Sequence, residues 1–451
     1  MLSVHETVEK TRHPLKILQY GEGNFLRAFF DYMLDIANEK GVFDGAACIV
    51  KAIPFGSLAD FAEQKSIYTV VLRDAQHSEQ RIIRCVDRAL CAYDDYDAYA
   101  ALAENPDLRF IVSNTTEAGI VYDENDRFEL RPPTSFPGKL TKFLYERYTA
   151  FDGAVDKGLI ILPVELIDKN GFMLKECCRK LAALWGLPPT FIAWLTDSNI
   201  FCNTLVDRIV TGYPKDEIGQ LERELGYHDK LLVTGECHAL WVIECGAGQQ
   251  AMLERELPFT AAGLPVIITD DLAPYRERKV RLLNGTHTAT VFVALLAGLE
   301  TVGEALADQQ IRRFMEQVLF NELAPFVPLP AEEVRAYATA VLERFGNPHI
   351  RHEWRSIALN SVSKVKARLL PTVLETYNKN GCYPKLLCLS LAALLEYYRI
   401  HGAGGDPDAP EGMFAELLGM ADLSGLAAEV ENNRRYLSER GIRSVLEQYL
   451  C

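Results

Sequence analysis

LKILQYGEGNFLRAFFDYMLDI, running from Leu15 to Ile36, passes from strand to helix through two glycines. Leu15 to Tyr20 is a short apolar strand. Gly21 and Gly23 then punctuate it, and apolar residues at Phe29, Phe30, Met33, Leu34 and Ile36 recur at helical spacing. A strand, a glycine turn and a helix in that order open a dinucleotide-binding domain. The glycines permit a tight turn and close backbone approach to a pyrophosphate, and the helix start supplies free N–H groups and a positive dipole end. Leu26 stands where the third glycine of G-x-G-x-x-G is usual, so the motif by itself also fits a turn without a ligand. Glu22 is expected to point away from a phosphate and Arg27 toward one.

Outward from this unit, strands and helices alternate. Ala46 to Ile53 reads as a second strand. An NAD site usually places an acidic residue at the end of that strand, for the ribose hydroxyls. Lys51 is found there instead, which points to NADP or to an atypical adenosine pocket. Tyr68 to Arg73 and Ile82 to Val86 read as further strands, arranged as an inserted hairpin. Asp95 to Glu104 is a helix, and Leu108 to Ser113 a buried strand that runs into Asn114, Thr115, Thr116 and Glu117. Polar residues after the carboxyl end of a parallel strand lie where such sheets bind ligands, although an ordinary polar loop has the same composition. Leu140 to Tyr148, Gly158 to Val164, Met173 to Trp185 and Val266 to Asp270 continue as helix, strand, helix and strand. Asp207 and Arg208 are expected to pair with each other, with Asp207 a second candidate as a carboxylate beside a site.

Pro274 to Leu299 reads as one helix, with Pro274 suited to its first turn and Gly298 to its end. Lys279, Asn284 and His287 lie within it. Asn284 and His287, three apart, share a face. A lysine whose pKa is lowered by burial and like charge can act as general base, and Arg276, Arg278 and Arg281 crowd this one. An asparagine can donate to a developing alkoxide. Mid-helix Gly285 costs about 1 kcal/mol against alanine, which suits a close approach to the backbone. A basic helix start with a solvated lysine, a capping asparagine and a satisfied histidine would show the same residues, so the trio alone leaves the choice open.

Beyond residue 299 every apolar stripe is helical: Ile311 to Glu322, Ala331 to Phe345, Arg351 to Leu369, Pro384 to His401 and Asp422 to Leu450, with a loop from His401 to Gly412. A domain boundary near residue 270 would put the Lys279 helix at the cleft between two halves. The 451 residues carry a net charge of -15, which disfavours generic binding to nucleic acid or anionic membrane. The N-terminus has no apolar signal core and no stretch is apolar enough to span a bilayer, so a cytoplasmic protein is expected. The eleven cysteines are scattered without a C-x-x-C pair and read as free thiols. His228 and His238 have no companion at metal-ligand spacing, and no metal is expected. The oligomeric state is not legible.

Four segments together resemble the polyol-specific long-chain dehydrogenases, the mannitol dehydrogenase family. They are QYGEGNFLRAF (Gln19 to Phe29), VSNTTEAGI (Val112 to Ile120), TLVDRIVTGYP (Thr204 to Pro214) and ERKVRLLNGTHTA (Glu277 to Ala289). Lys279, Asn284 and His287 match the K-x4-N-x2-H pattern of that family's active site, and Phe201 to Ile209 its V-D-R-I region. The resemblance covers roughly residues 15 to 400. It implies an α/β Rossmann-type N-terminal domain (1–270) and a mostly α-helical C-terminal domain (271–451) for substrate and catalysis. It implies an NAD-dependent, metal-independent reduction of D-tagaturonate to D-altronate. In that reading Lys279 is the acid/base, and Asn284 and His287 are oxyanion donor and positioning group. The cofactor site is Leu18, Gln19, Tyr20, Gly21, Glu22, Gly23, Asn24, Phe25, Leu26, Arg27, Ala28 and Phe29, with Asn114, Thr115 and Glu117. Reduction of D-fructuronate, oxidation of another polyol and non-catalytic NAD sensing are the alternatives. A hexuronate carries a carboxylate, for which Arg281, Arg351, Lys364 and Arg368 are candidate partners. Mannitol-type members have Cys-Asp-Asn where this chain has Val164-Glu165-Leu166, which argues against mannitol as substrate.

Overall fold

The computed structural model describes residues 1–115, 118–402 and 424–450. Two compact units divide the chain, Met1–Leu272 and Ala273–Cys451.

The first unit is built on six parallel strands, β1 (Leu15–Tyr20), β2 (Ala46–Lys51), β3 (Val86–Cys91), β4 (Phe110–Ser113), β5 (Ile160–Pro163) and β6 (Ile200–Phe201). Their order across the sheet is β3-β2-β1-β4-β5-β6, and every neighbouring pair is parallel. Helices on both faces demand strands that are apolar throughout rather than alternating, and all six residues of AACIVK in β2 are buried. The direction of winding reverses between β1 and β4, where Tyr20 is paired with Ser113. At such a switch point the loops leaving two adjacent strands part from each other and open a crevice. Here those loops begin at Gly21 and Asn114.

Around this sheet lie smaller ones. Tyr68–Arg73 forms an antiparallel hairpin with Ser78–Ile83, extended by Val233–Gly235 and Val210–Gly212. The expected strand from Ile82 to Val86 therefore straddles two real ones: the hairpin's second arm ends at Ile83, and Val86 starts β3. Ser78, Glu79 and Gln80 are exposed on a sheet edge, so no apolar alternation marks that arm. Asn203–Asp207, Leu240–Glu244 and Val266–Thr269 form a three-stranded sheet.

The second unit is helical, packed about Leu282, Phe292, Phe314, Trp354 and Leu387 among others. The expected helix from Arg351 to Leu369 is broken. Helices occupy Trp354–Ile357 and Ser361–Arg368, with Asn360 left-handed at φ 53° between them. Lys385–His401 follows Pro384, and Ser424–Tyr449 kinks at Gly441, φ 73°. The expected loop beyond Gly402, as far as Gly412, and the start of the Asp422 helix lie outside the described residues. Among the described residues no helix is long and apolar enough to cross a membrane.

Candidate active site

The switch-point crevice holds a cleft of about 950 Å³ lined by Gly21, Glu22, Gly23, Asn114, Thr115 and Lys139, with Ala52, Ile53 and the Val121–Asn125 loop. Gly21 turns the chain at φ 122°, and its N–H donates to the Val50 carbonyl at 3.1 Å. A Cβ there would stand 3.0 Å from the Asn114 carbonyl oxygen, so side chain and backbone angle both require glycine. Gly23 caps the helix that runs on from Asn24 to Glu39, and a Cβ on it would meet nothing within 4 Å. That leaves the helix start, with its unbonded N–H groups, open to a ligand's anion. Leu26 is buried beneath the turn, where a Gly21 Cβ would lie 3.4 Å from its Cδ1. Packing by leucine thus replaces the third glycine. A tight turn, an open helix N-terminus and a cleft between strand ends fit a dinucleotide pyrophosphate.

Side chains of the same segment mostly serve the turn from below. Leu18, Ala28 and Phe29 are fully buried, Phe29 stacked on Phe25 at 5.0 Å between ring centres, and the Tyr20 hydroxyl meets that of Tyr99. Gln19 donates from Nε2 to the Gly21 carbonyl at 3.3 Å. Arg27 does not point at a phosphate. Its guanidinium is buried, donates to the Leu231 carbonyl and to Asn24 Oδ1 (2.6 Å), and lies over the rings of Phe61 and Tyr68. Asn24, so held, packs against Gly212 of the TGYP stretch, φ 87°, where a Cβ would come within 2.8 Å of its Nδ2. Only the fold brings positions 24 and 212 together, so no local pattern marks that contact.

Lys51 does not face a cofactor phosphate either. It is 2% exposed, and its ammonium donates to the carbonyls of Phe55 (2.9 Å) and Gly56 (2.8 Å). It staples the loop after β2 and offers nothing to a 2′-phosphate. Across the cleft, Thr115 donates from N and Oγ1 to Glu165 Oε1, both at 2.9 Å, and Ser113 Oγ donates to Oε2 at 3.1 Å. Glu165, whose pKa burial raises, thereby fixes the loop after β4. Thr116 and Glu117 lie outside the described residues. Lys139, not singled out from the sequence, is buried at the cleft wall, donates to the Thr134 carbonyl at 2.7 Å, and has its pKa pushed down to about 8 by burial.

Asp207 and Arg208 do not pair. Arg208 donates to the carbonyls of Ala28, Cys237 and His238. Asp207 is buried, with Oδ2 3.7 Å from His238 Nε2.

In the second unit the expected single helix has three parts: α-helical Ala273–Arg278, a π turn over Lys279–Asn284, and α-helical Gly285–Leu296. The Gly285 N–H bonds to the Val280 carbonyl, five residues back. In a regular α-helix five residues turn about 500°, leaving Lys279 and Asn284 about 140° apart around the axis. A π turn bonds i to i+5 and brings those positions onto one side. His287 follows Asn284 by three, on the same face again. A single turn thus aligns all three members of the trio. Space does not enforce Gly285: a Cβ would meet Leu323 and the Val280 carbonyl at an ordinary 3.4 Å.

The His287 ring stacks on Phe345 at 4.1 Å between centres, with His352 and Trp354 edge-on. Its Nε2 is buried and has no hydrogen-bond partner among the described residues. Burial, then the charges of His352, Arg344, Arg368 and Lys364, hold its pKa well below the usual histidine range. Burial thus favours the neutral ring. Asn284 is partly accessible, and its backbone carbonyl accepts from Thr288 Oγ1 at 2.8 Å.

The arginines do not crowd Lys279 as bare charges. Arg278 pairs with Glu333 at 2.6 Å, and Arg281 is buried between Glu277, Glu375 and the Thr372 hydroxyl. Arg281 is therefore a structural tie and not a free cation for a substrate. The Arg351 side chain is 73% exposed and 3.3 Å from Glu353. Lys364 donates to the Ile357 carbonyl at 2.8 Å, and Arg368 reaches Thr288 Oγ1 at 3.3 Å. Among the described residues no group of three metal-ligating side chains occurs.

Residues 15–258 match the family model described as the mannitol dehydrogenase Rossmann domain, and residues 271–418 that of the mannitol dehydrogenase C-terminal domain. An altronate oxidoreductase of Escherichia coli O6:K15:H31 is 46% identical over 86% of this chain and 80% of its own length. One of Klebsiella pneumoniae strain 342 is 47% identical over the same shares. Two solved structures have the same fold. A D-sorbitol dehydrogenase in substrate-free form has TM-score 0.82 at 20% identity, covering 99% of this chain and all of that one. The mannitol 2-dehydrogenase of Pseudomonas fluorescens, in ternary complex with NAD and D-mannitol, has TM-score 0.71 at 22% identity, covering 97% and 94%. With both halves matched in order, the chain belongs to the mannitol dehydrogenase family.

Proposed function

We propose that the chain is an NAD-dependent oxidoreductase that interconverts D-tagaturonate and D-altronate in cytoplasmic hexuronate catabolism. The observation that carries this reading is the 46–47% identity to altronate oxidoreductases across 86% of the chain. The turn and cleft at Gly21–Gly23 and the Lys279–His287 face support it. Residues 1–270 bind the dinucleotide, and residues 271–451 bind and turn over the sugar acid. When bound, the nicotinamide supplies a hydride to the ketone carbon or accepts one from the carbinol. The Lys279 ammonium gives its proton to the ketone oxygen during reduction and takes it back during oxidation. The Asn284 amide donates to that oxygen as charge develops on it, and His287 acts as the positioning group beside it. Lys51, the cation at the end of β2, is spent on the Phe55 and Gly56 carbonyls, which leaves it nothing for the 2′-phosphate of NADP.

NADH oxidation against D-tagaturonate, D-fructuronate and D-fructose, with NADPH as control, tests the assignment. D-tagaturonate with NADH is expected to give the highest kcat/KM. A higher value for D-fructuronate, or for NADPH, would overturn the substrate or the cofactor respectively.

A further inference from the structure

A keto-uronate has two handles, a ketone and, several carbons away, a carboxylate. The trio accounts for the first. Most cations around it are spent: Arg278 on Glu333, Arg281 on Glu277 and Glu375, Arg351 on Glu353 at the surface. Arg368 differs. It closes the short helix Ser361–Arg368, is only partly accessible, and makes no ion pair with a carboxylate among the described residues. Among the described residues its one hydrogen bond is Nη1 to Thr288 Oγ1, long at 3.3 Å. That hydroxyl is already a donor to the Asn284 carbonyl at 2.8 Å. Thr288 stands four residues from Asn284 and one from His287, so the guanidinium lies against the helix that bears the trio. Its charge also reaches the His287 ring.

We propose that Arg368 binds the carboxylate of the substrate, an inference that rests on the reading of this chain as a keto-uronate reductase. Burial disfavours the charge of Arg368 and no carboxylate of the described chain opposes that penalty. An incoming carboxylate supplies the missing counter-charge. A planar guanidinium holds it through two parallel bonds, which fixes orientation as well as position. With the acid end anchored there, the ketone end is presented to Asn284 and Lys279. A neutral ketose has nothing to give Arg368, so this residue selects sugar acids over sugars.

The test uses Arg368→Met and Arg368→Lys in the full chain, with two readouts. The first is kcat/KM for D-tagaturonate and for its uncharged counterpart D-tagatose. In Arg368→Met the preference for the acid is expected to fall at least about tenfold, mainly through KM, since bonds to charged groups are worth about 1.5–3 kcal/mol. Arg368→Lys is expected to recover part of it. Misfolding would depress both substrates alike; an unchanged ratio with D-tagatose turnover kept at the wild-type level overturns the proposal. The second readout is calorimetric binding of D-altronate without cofactor. Weaker binding in Arg368→Met supports the carboxylate site even if the wild type reduces no keto-uronate, in which case only the assigned reaction fails. Equal binding by wild type and Arg368→Met overturns the site whatever the turnover. No binding by the wild type overturns both.

Discussion

The backbone N–H of Gly285 donates to the carbonyl of Val280, five residues earlier, and this bond closes the π turn that lines Asn284 up with Lys279. A K-x4-N spacing has no sense on a regular α-helix, where it points the two side chains away from each other. On a π turn, at about 4.4 residues per turn, the same spacing leaves them only about 50° apart, on one side of the helix. Asn284 is therefore expected to act on the same oxygen as Lys279. Asn284→Ala should lower kcat roughly 10²–10³-fold, the usual cost of one oxyanion donor. The NADH dissociation constant, measured by fluorescence titration, should stay within threefold.

The two glycines of the nucleotide turn do different work, and alanine separates them. At Gly21 a Cβ meets the Asn114 carbonyl and the backbone is at φ 122°, so Gly21→Ala is expected to cost about 1–3 kcal/mol of stability as well as cofactor affinity. At Gly23 a Cβ touches no protein atom, so Gly23→Ala should hold stability within about 0.5 kcal/mol. It should still raise KM for NADH, because the added methyl stands where the pyrophosphate approaches. Denaturant midpoints alongside KM values decide it; unchanged KM in Gly23→Ala would remove the pyrophosphate from this turn.

Lys51 is a staple. Lys51→Met should destabilise the first unit by about 1–3 kcal/mol, through the loss of two charged hydrogen bonds to Phe55 and Gly56. The ratio of kcat/KM for NADH over NADPH should move less than threefold. A collapse of that ratio would return Lys51 to the cofactor.

His287 makes stability pH-dependent in a defined direction. Its folded pKa lies well below the unfolded value of 6.5, because burial and the surrounding cations disfavour the charged ring. The unfolded chain then takes up a proton that the folded chain refuses. The contribution is fully present above about pH 6.5 and is lost as pH falls toward the folded pKa, at up to about 1.4 kcal/mol per pH unit. Chemical denaturation between pH 7 and pH 5 should show this slope in the wild type and a shallower one in His287→Gln. Equal slopes would mean that the ring titrates normally.

Parts of this structure are plain in the sequence, for a physical reason. Leu15–Tyr20 and Ala46–Lys51 are buried on both faces, so composition alone marks them, and Gly21 signals its turn because no other residue takes that backbone angle. Where structure and sequence differ, distant partners decide. Arg27 looks like a phosphate ligand until Leu231 and Phe61 come beside it, and Lys51 suggests a 2′-phosphate until the Phe55 loop folds back over it. Arg281 is claimed by Glu375, ninety-four residues on. Ser78–Ile83 is a polar edge strand without alternation. The π turn has no propensity signal; Lys279, Asn284 and His287 could be named from their spacing, but their alignment required the backbone.

The most direct test of proton transfer from this helix face is the steady-state rate of Lys279→Ala on D-tagaturonate with saturating NADH. Loss of a positioned acid/base should lower kcat by roughly 10²–10⁴-fold while NADH still binds. A Lys279→Ala enzyme within tenfold of wild type would contradict the central role given to that ammonium.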